Sequence, residues 1–262
     1  MREARGEVRC IDVRSYVTVA VVATSAAVVF AITVVLRRAR ERAAGWGGVP
    51  EAVGAALCTW LAATAALAVA GVYRPASGTG IPAVPIAFLI GLGTTWIAAT
   101  ALPSLRALID QPATQASLVA LQVWRVLGIN FLILLALGKL PPLFALPAGL
   151  GDIAAGLAAP FVASGLRRPG GRSSAIAWNV FGLLDLIVAI GLGATTNVGP
   201  IQIFHANPSI VVLTAFPLAL VPTFLVPLSM VLHIISLRYL LGARTASARA
   251  VIAPGGHLEP LR

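Results

Sequence analysis

Charge is scarce in this sequence: 11% of its 262 residues are Asp, Glu, Lys or Arg, while 58% are hydrophobic and the mean hydropathy is +0.93. A soluble domain averages about 25% charged residues. A soluble chain of this length cannot bury so much apolar surface, which excludes a water-soluble globular fold. We therefore expect a lipid bilayer as the solvent and the first partner of much of the chain.

Cysteine, lysine and histidine are scarce as well. Cys10 and Cys58 have no spacing typical of a zinc site or of a disulfide framework. The single lysine, Lys139, lies at the end of an apolar run, so a Schiff-base lysine within a span is absent. Of the three histidines only His233 falls well inside a predicted span, which leaves bis-histidine haem ligation without a second ligand. We expect no metal site, no cofactor and no catalytic residues.

What the sequence has instead is a series of continuous apolar runs near the roughly 20 residues that a bilayer-spanning helix needs. Only helices and closed barrels satisfy their backbone groups in lipid, and continuous rather than alternating runs favour helices. We predict an all-α polytopic transmembrane helix bundle of about seven spans. The predicted spans are residues 16–36, 51–73, 81–102, 116–138, 143–166, 174–195 and 220–241.

These spans divide the chain into a polar N-terminal tail (1–15), a single transmembrane helical domain (16–241) and a flexible cytoplasmic tail (242–262). The last apolar run, 210–241, is too long for one span and is broken by prolines. We expect a short interfacial or re-entrant piece and then one crossing. Two crossings, giving eight spans, are the alternative.

The charges that are present flank the apolar runs. The net charge is +10, and most arginines fall in the predicted loops 37–50, 103–115 and 166–173 and from Arg238 onward. The positive-inside rule then favours an N-out/C-in orientation. No compact basic fold is available to carry nucleic acid, so no nucleic-acid partner is expected. The Arg, Ala, Gly and Val richness is typical of a GC-rich bacterial genome, and we expect a multi-pass protein of the bacterial inner (plasma) membrane.

Four ionisable residues lie deep in four different predicted spans. At about 1.5 Å per residue, Arg125 lies about 14 Å from the cytoplasmic end of its span, Asp152 about 21 Å, Asp185 about 16 Å and His233 about 12 Å. A charge at bilayer depth costs several kcal/mol unless it is paired or hydrated. These distant residues therefore indicate a shared polar layer, with Asn179 about 8 Å deep at its edge.

Two interpretations of this layer stay open. Arg125 remains charged at any accessible pH, so it holds either an anionic ligand group or a resting aspartate. Asp152 and Asp185 are then counter-ions or a proton site, and His233 is a proton partner. Alternatively, these charges form a structural ion pair that only fixes helix packing.

Three further residues belong to the predicted site or border it. Trp178 shares one helical face with Asp185 at spacing i, i+7, and Asn179 is expected beside that face rather than on it. Asn130 and Asn179 are expected to form hydrogen bonds between helices.

Three motifs carry a resemblance: WRVLG with LPPLFALPAGLGDIAAGLAAP, AWNVFGLLDL, and PTFLVPLSMVLHIISLRYL. Over about residues 118–241 the chain resembles a family of uncharacterised bacterial multi-pass membrane proteins. The resemblance implies a helical membrane fold and no established activity. The residues that it highlights are Arg125, Asp152, Trp178, Asn179 and His233.

Three functional hypotheses follow. The first is a small-solute or proton-linked transporter, or a ligand-binding membrane protein, whose partner is a small solute, a proton or a lipid. The second is a non-enzymatic scaffold or assembly subunit whose buried charges only specify helix packing. The third is a lipid-modifying membrane enzyme, which no metal motif or activated nucleophile in the sequence supports.

Overall fold

Seven helices in the described part of the chain are long and apolar enough to cross a membrane. The computed structural model describes residues 13–43, 47–75, 83–166, 168 and 170–252, with side chains as far as Gly242. The α-helices are α1 (Val13–Ala43), α2 (Val49–Val69), α3 (Ala83–Ala101), α4 (Pro103–Ile109), α5 (Pro112–Leu121), α6 (Ile129–Ala136), α7 (Pro142–Gly165), α8 (Gly171–Thr196) and α9 (Val226–Ile252). The predicted all-α bundle of seven spans is confirmed.

Span four is not one continuous α-helix. A 3-10 helix over Gln122–Gly128 joins α5 to α6, and the three pieces together make a candidate span from Pro112 to Ala136. Long 3-10 stretches are uncommon because their hydrogen-bond geometry is poorer than that of the α-helix. This stretch contains Arg125, so the irregular backbone coincides with a fully buried charge.

The stretch 210–241 contributes one candidate span. A short 3-10 turn (Val211–Thr214) and a π-helical turn (Val221–Leu225) precede α9. The single candidate span, Val221–Gly242, begins with the π-helical turn and continues into α9. Pro222 and Pro227 cannot donate backbone hydrogen bonds, which accounts for the irregular entry into the helix. The prediction of one crossing after a short non-spanning piece is therefore confirmed.

Helix α9 is the centre of the bundle. In its most apolar window 72% of the residues are buried, against 17–44% in the other six spans. It packs against α3, α5 and α8. A helix buried on most of its surface has little lipid contact, so the polar side chains that α9 carries face other helices.

Two apolar clusters fill the ends of the bundle. The first joins the second half of α1 with α4, α5 and α9, through residues such as Leu36, Leu108 and Ile235. The second joins α6, the start of α7 and the 210–220 segment, through residues such as Phe131 and Phe144. The predicted polar residues lie between these clusters, at the middle of the spans.

The prediction of a loop over residues 103–115 is wrong, because most of these residues are helical. Residues 103–109 form α4, and α5 begins at Pro112; both helices start at a proline, which is tolerated at the first helical position because the missing N–H would have no partner there. Between them, Oδ1 of Asp110 accepts a hydrogen bond from Nη2 of Arg238 at 2.8 Å. The residue that follows α4 thus connects this segment to α9.

The predicted tails are only partly described. Residues 1–12 and 253–262 lie outside the described residues, as do residues 44–46 of the predicted loop 37–50, residues 76–82, and residues 167 and 169. At the two boundaries that are described, α1 already begins at Val13 and α9 continues to Ile252.

The N-out/C-in orientation stays a prediction that cysteine labelling tests. In a protein with Cys10 and Cys58 replaced by serine, Lys139→Cys in the exposed α6–α7 turn should react with a membrane-impermeant maleimide in intact spheroplasts. Ala107→Cys on the exposed face of α4 should react only after permeabilisation. The reverse pattern would contradict the predicted orientation.

Candidate functional site

The 3-10 stretch presents one row of residues to the interior. A 3-10 helix has three residues per turn, so side chains three apart lie directly above one another. Gln122, Arg125 and Gly128 are the buried residues of the stretch, and they have this spacing. Two hydrogen bonds join Gln122 to Ser229 of α9. Nε2 of Gln122 donates to the carbonyl oxygen of Ser229 at 3.2 Å, and Oγ of Ser229 donates to Oε1 of Gln122 at 2.5 Å. The row therefore fixes Arg125 against α9.

Arg125 has no solvent-exposed side-chain surface and is held by four groups. Its Nε lies 2.7 Å from Oδ1 of Asp152, and its Nη2 donates to Oδ2 of Asp185. Its Nη1 lies 3.3 Å from the carbonyl oxygen of Gly182 and 3.1 Å from Nε2 of His233. The structure thus brings together the four ionisable residues that were predicted to share a layer.

The hydrogen bonds define the protonation state of His233. A guanidinium only donates, so Nε2 of His233 accepts from Arg125 and carries no proton. Its Nδ1 lies 2.9 Å from Oδ1 of Asn179, which also only accepts. The proton therefore sits on Nδ1, and His233 is neutral in this arrangement. In this arrangement His233 positions Arg125, and the expected role of His233 as a proton partner stays a prediction.

Trp178 and Asn179 both support His233. The Trp178 ring centroid lies 4.9 Å from that of His233, and its Nε1 donates to the carbonyl of Ala155 at 3.0 Å. Nδ2 of Asn179 donates to Ser236 of α9 at 3.1 Å. The expectation that Asn179 lies beside the packed face is wrong, because the buried stripe of α8 is wide enough to include both neighbours.

Glycines on α7 and α8 make room for the charged groups. A Cβ on Gly151 would clash with the carboxylate of Asp185, and a Cβ on Gly182 would lie 2.5 Å from Cε1 of His233 and 2.9 Å from Nη1 of Arg125. Absence of a side chain at these two positions therefore lets the ion pairs form across helices that approach closely.

An apolar cavity of about 290 Å³ ends at this layer. Its walls come from α3, α6, α7, α8 and the 197–226 segment, and its outer part includes the exposed residues Arg74 and Val198. Of the six predicted site residues, Asp152 is the one that lines the cavity. Its side chain is 9% exposed, while Arg125 behind it is fully buried. Asp152 is thus the contact between the cavity and the ion pairs.

Several supporting residues were not predicted. Gln122, Ser229 and Ser236 are small or neutral and gave no signal of unusual cost in the sequence, although Gln122 shares the three-residue spacing of Arg125. Asn130, expected to bond between helices, instead donates to Leu127 of its own span at 3.0 Å, so that prediction is wrong. Among the described residues, no three His, Cys, Asp or Glu side chains are placed to hold a metal ion.

A protein-family model matches most of the chain. The model described as a domain of unknown function, DUF8737, matches residues 81–241, which is more than half of the 262 residues. The chain belongs to the DUF8737 family. The matched region contains all six predicted site residues and the cavity walls from α3 onward. Comparison with curated proteins and with solved structures gave no match. The resemblance to bacterial multi-pass membrane proteins stays a prediction.

Replacing Arg125 tests how strongly the layer depends on its one cation. Arg125→Met leaves two buried carboxyl groups without their partner, and we expect a loss of about 3–5 kcal/mol in the free energy of unfolding. The control is Arg238→Met, whose partly exposed pair with Asp110 is worth about 0–1 kcal/mol. Thermal unfolding in detergent checks both. Equal shifts for the two variants would contradict the arrangement.

The close approach of α7 and α8 is tested at Gly151. Gly151→Ala forces the Asp185 carboxylate away from its place, and overpacking of this kind costs about 1–3 kcal/mol. Gly165→Ala on the same helix is the matched control, since nothing lies within 4 Å of its added Cβ. A lower melting temperature is expected for Gly151→Ala alone. If Gly151→Ala melts like the control, the tight packing is not present in the folded protein.

Proposed function

We propose that this DUF8737 protein binds a small, largely apolar solute in the cavity and transports it in a proton-linked cycle. One observation supports the proposal above the others: the cavity extends from exposed loop residues to a buried carboxylate, Asp152, that is bonded to Arg125. A purely structural ion pair does not require such access. Intramembrane ionisable residues that border a cavity typically mark a solute or ion path.

The shape and lining of the cavity favour a small ligand with an apolar body. Ligand pockets measure about 300–1,000 Å³, and this cavity of about 290 Å³ lies at the lower end. Its charged lining residues among the described part of the chain are Arg74 at the exposed outer part and Asp152 at the inner end. A few polar groups in an apolar wall orient a ligand, so the polar end of the solute is expected at Asp152.

The protein atoms below Asp152 support a one-sided site. Arg125 is fully buried there, and the apolar cluster of α1, α4, α5 and α9 fills the end of the bundle beyond it. A site near the middle of the bilayer that is accessible from one side is what alternating access requires of each of its end states. In the predicted orientation the cavity lies on the outer side.

The scaffold hypothesis is the second candidate, and it has its own support. The hydrogen bonds of the fully buried Arg125 connect the 3-10 stretch with α7, α8 and α9. Because Arg125 does not line the cavity, its expected role in holding an anionic ligand group loses support. The two hypotheses differ in whether the cavity takes up a ligand.

Photolabelling of the cavity distinguishes the ligand-binding hypothesis from the scaffold hypothesis. An uncharged adamantyl diazirine photolabel should attach to cavity residues in a saturable way, with excess 1-adamantanol as competitor. Ala189→Trp, on the cavity wall, should abolish the saturable labelling, while Val188→Trp, its lipid-exposed neighbour on α8, should leave it unchanged. Mass spectrometry of the labelled peptides is the measurement. Labelling that does not saturate in the unmodified protein would contradict the proposal and favour the scaffold.

A further inference from the structure

The layer around Arg125 has one more acidic group than it has cations. Asp152 reaches Arg125 from α7 and Asp185 from α8, while His233, which faces the guanidinium from α9, is neutral. If both carboxyl groups are ionised, one negative charge is left over. An uncompensated charge in a protein interior costs several kcal/mol. Either a proton or a bound cation must therefore neutralise the layer.

The cavity offers a place for such a cation. Asp152 forms its inner end, and the aromatic side chains Phe88, Phe131 and Phe144 line its walls. Phe131 and Phe144 meet edge to face, with ring centroids 5.5 Å apart. Aromatic rings attract organic cations through their faces, and a carboxylate adds a charge-assisted hydrogen bond. Arg74, the other charged lining residue, is exposed to solvent at the outer part, where salt screens its repulsion.

We propose that the ligand is a lipophilic ammonium compound, an apolar body whose protonated amine contacts Asp152 and replaces a proton held by the Asp152–Asp185 pair. This inference rests on the proposed function and names its substrate class. The exchange balances in charge: one ammonium ion enters the cavity, and one proton leaves for solvent. The same exchange couples movement of the amine to movement of a proton in the opposite direction.

A matched pair of probes tests the charge requirement. 1-Adamantylamine and 1-adamantanol have the same apolar body, and their binding to the full-length protein in detergent is measured by titration calorimetry. The Kd of the amine should be at least about tenfold lower than that of the alcohol, as expected for a hydrogen bond to a charged group. The Kd of the amine should fall by up to about tenfold for each unit by which the pH rises, over the range in which the Asp152–Asp185 pair holds its proton. Buffers of different ionisation enthalpy should report one proton released per amine bound.

Variants of the second carboxylate separate charge from contact. Asp185→Asn removes one acidic group without touching the cavity wall and keeps an oxygen to accept from Arg125. It should remove most of the preference for the amine and its dependence on pH. Asp110→Asn, which pairs with Arg106 and Arg238 outside the layer, is the control and should retain both.

The outcomes distinguish this inference from the proposed function. Equal affinity for amine and alcohol, an amine Kd that does not change with pH, or full amine preference in Asp185→Asn would overturn the ammonium proposal. Saturable binding of adamantanol would leave the ligand-binding function in place. If neither probe binds to the unmodified protein, both proposals fail.

Discussion

A guanidinium with no solvent contact has to be satisfied by protein atoms, and the centre of this structure is arranged around that requirement. Arg125 takes a carboxylate from each of two helices, a carbonyl from one of them and an imidazole nitrogen from α9. The 3-10 stretch directs Arg125 toward these partners, and the glycines of α7 and α8 let them come close enough. Removing one partner of a buried pair is costly because the remaining charge stays buried.

The same arrangement explains why Asp152 is the residue with functional potential. Arg125 bonds to His233, which bonds to Asn179, and these three residues lie behind Asp152 without lining the cavity. Asp152 bonds to Arg125 and also borders the cavity. A carboxylate held in this way has a fixed position, and the carboxylate of Asp185 accepts from the same guanidinium. The ion pairs that hold the helices together are therefore also the groups that border the cavity, through Asp152.

The sequence was sufficient to predict the number of spans and the shared depth of the charged residues, because apolar length and the cost of a buried charge are both properties of the residues alone. It did not predict the 3-10 stretch, the helix at 103–109 or the apolar lining of the cavity. Residue spacing places side chains on a helical face but does not say how wide the buried face is, which is why Asn179 was misplaced. The irregular stretch Gln122–Gly128 packs against α7 and bonds to α9, and those contacts exist only in the folded protein.

The most direct test of the account is adamantylamine binding to a protein in which the whole layer is apolar, with Arg125→Met, Asp152→Leu and Asp185→Leu together. Well-packed apolar replacements of a buried ion pair are often neutral or stabilising. The account predicts that this triple variant unfolds at or above the temperature of the unmodified protein and binds no adamantylamine. A folded triple variant that binds the amine with unchanged Kd would contradict it.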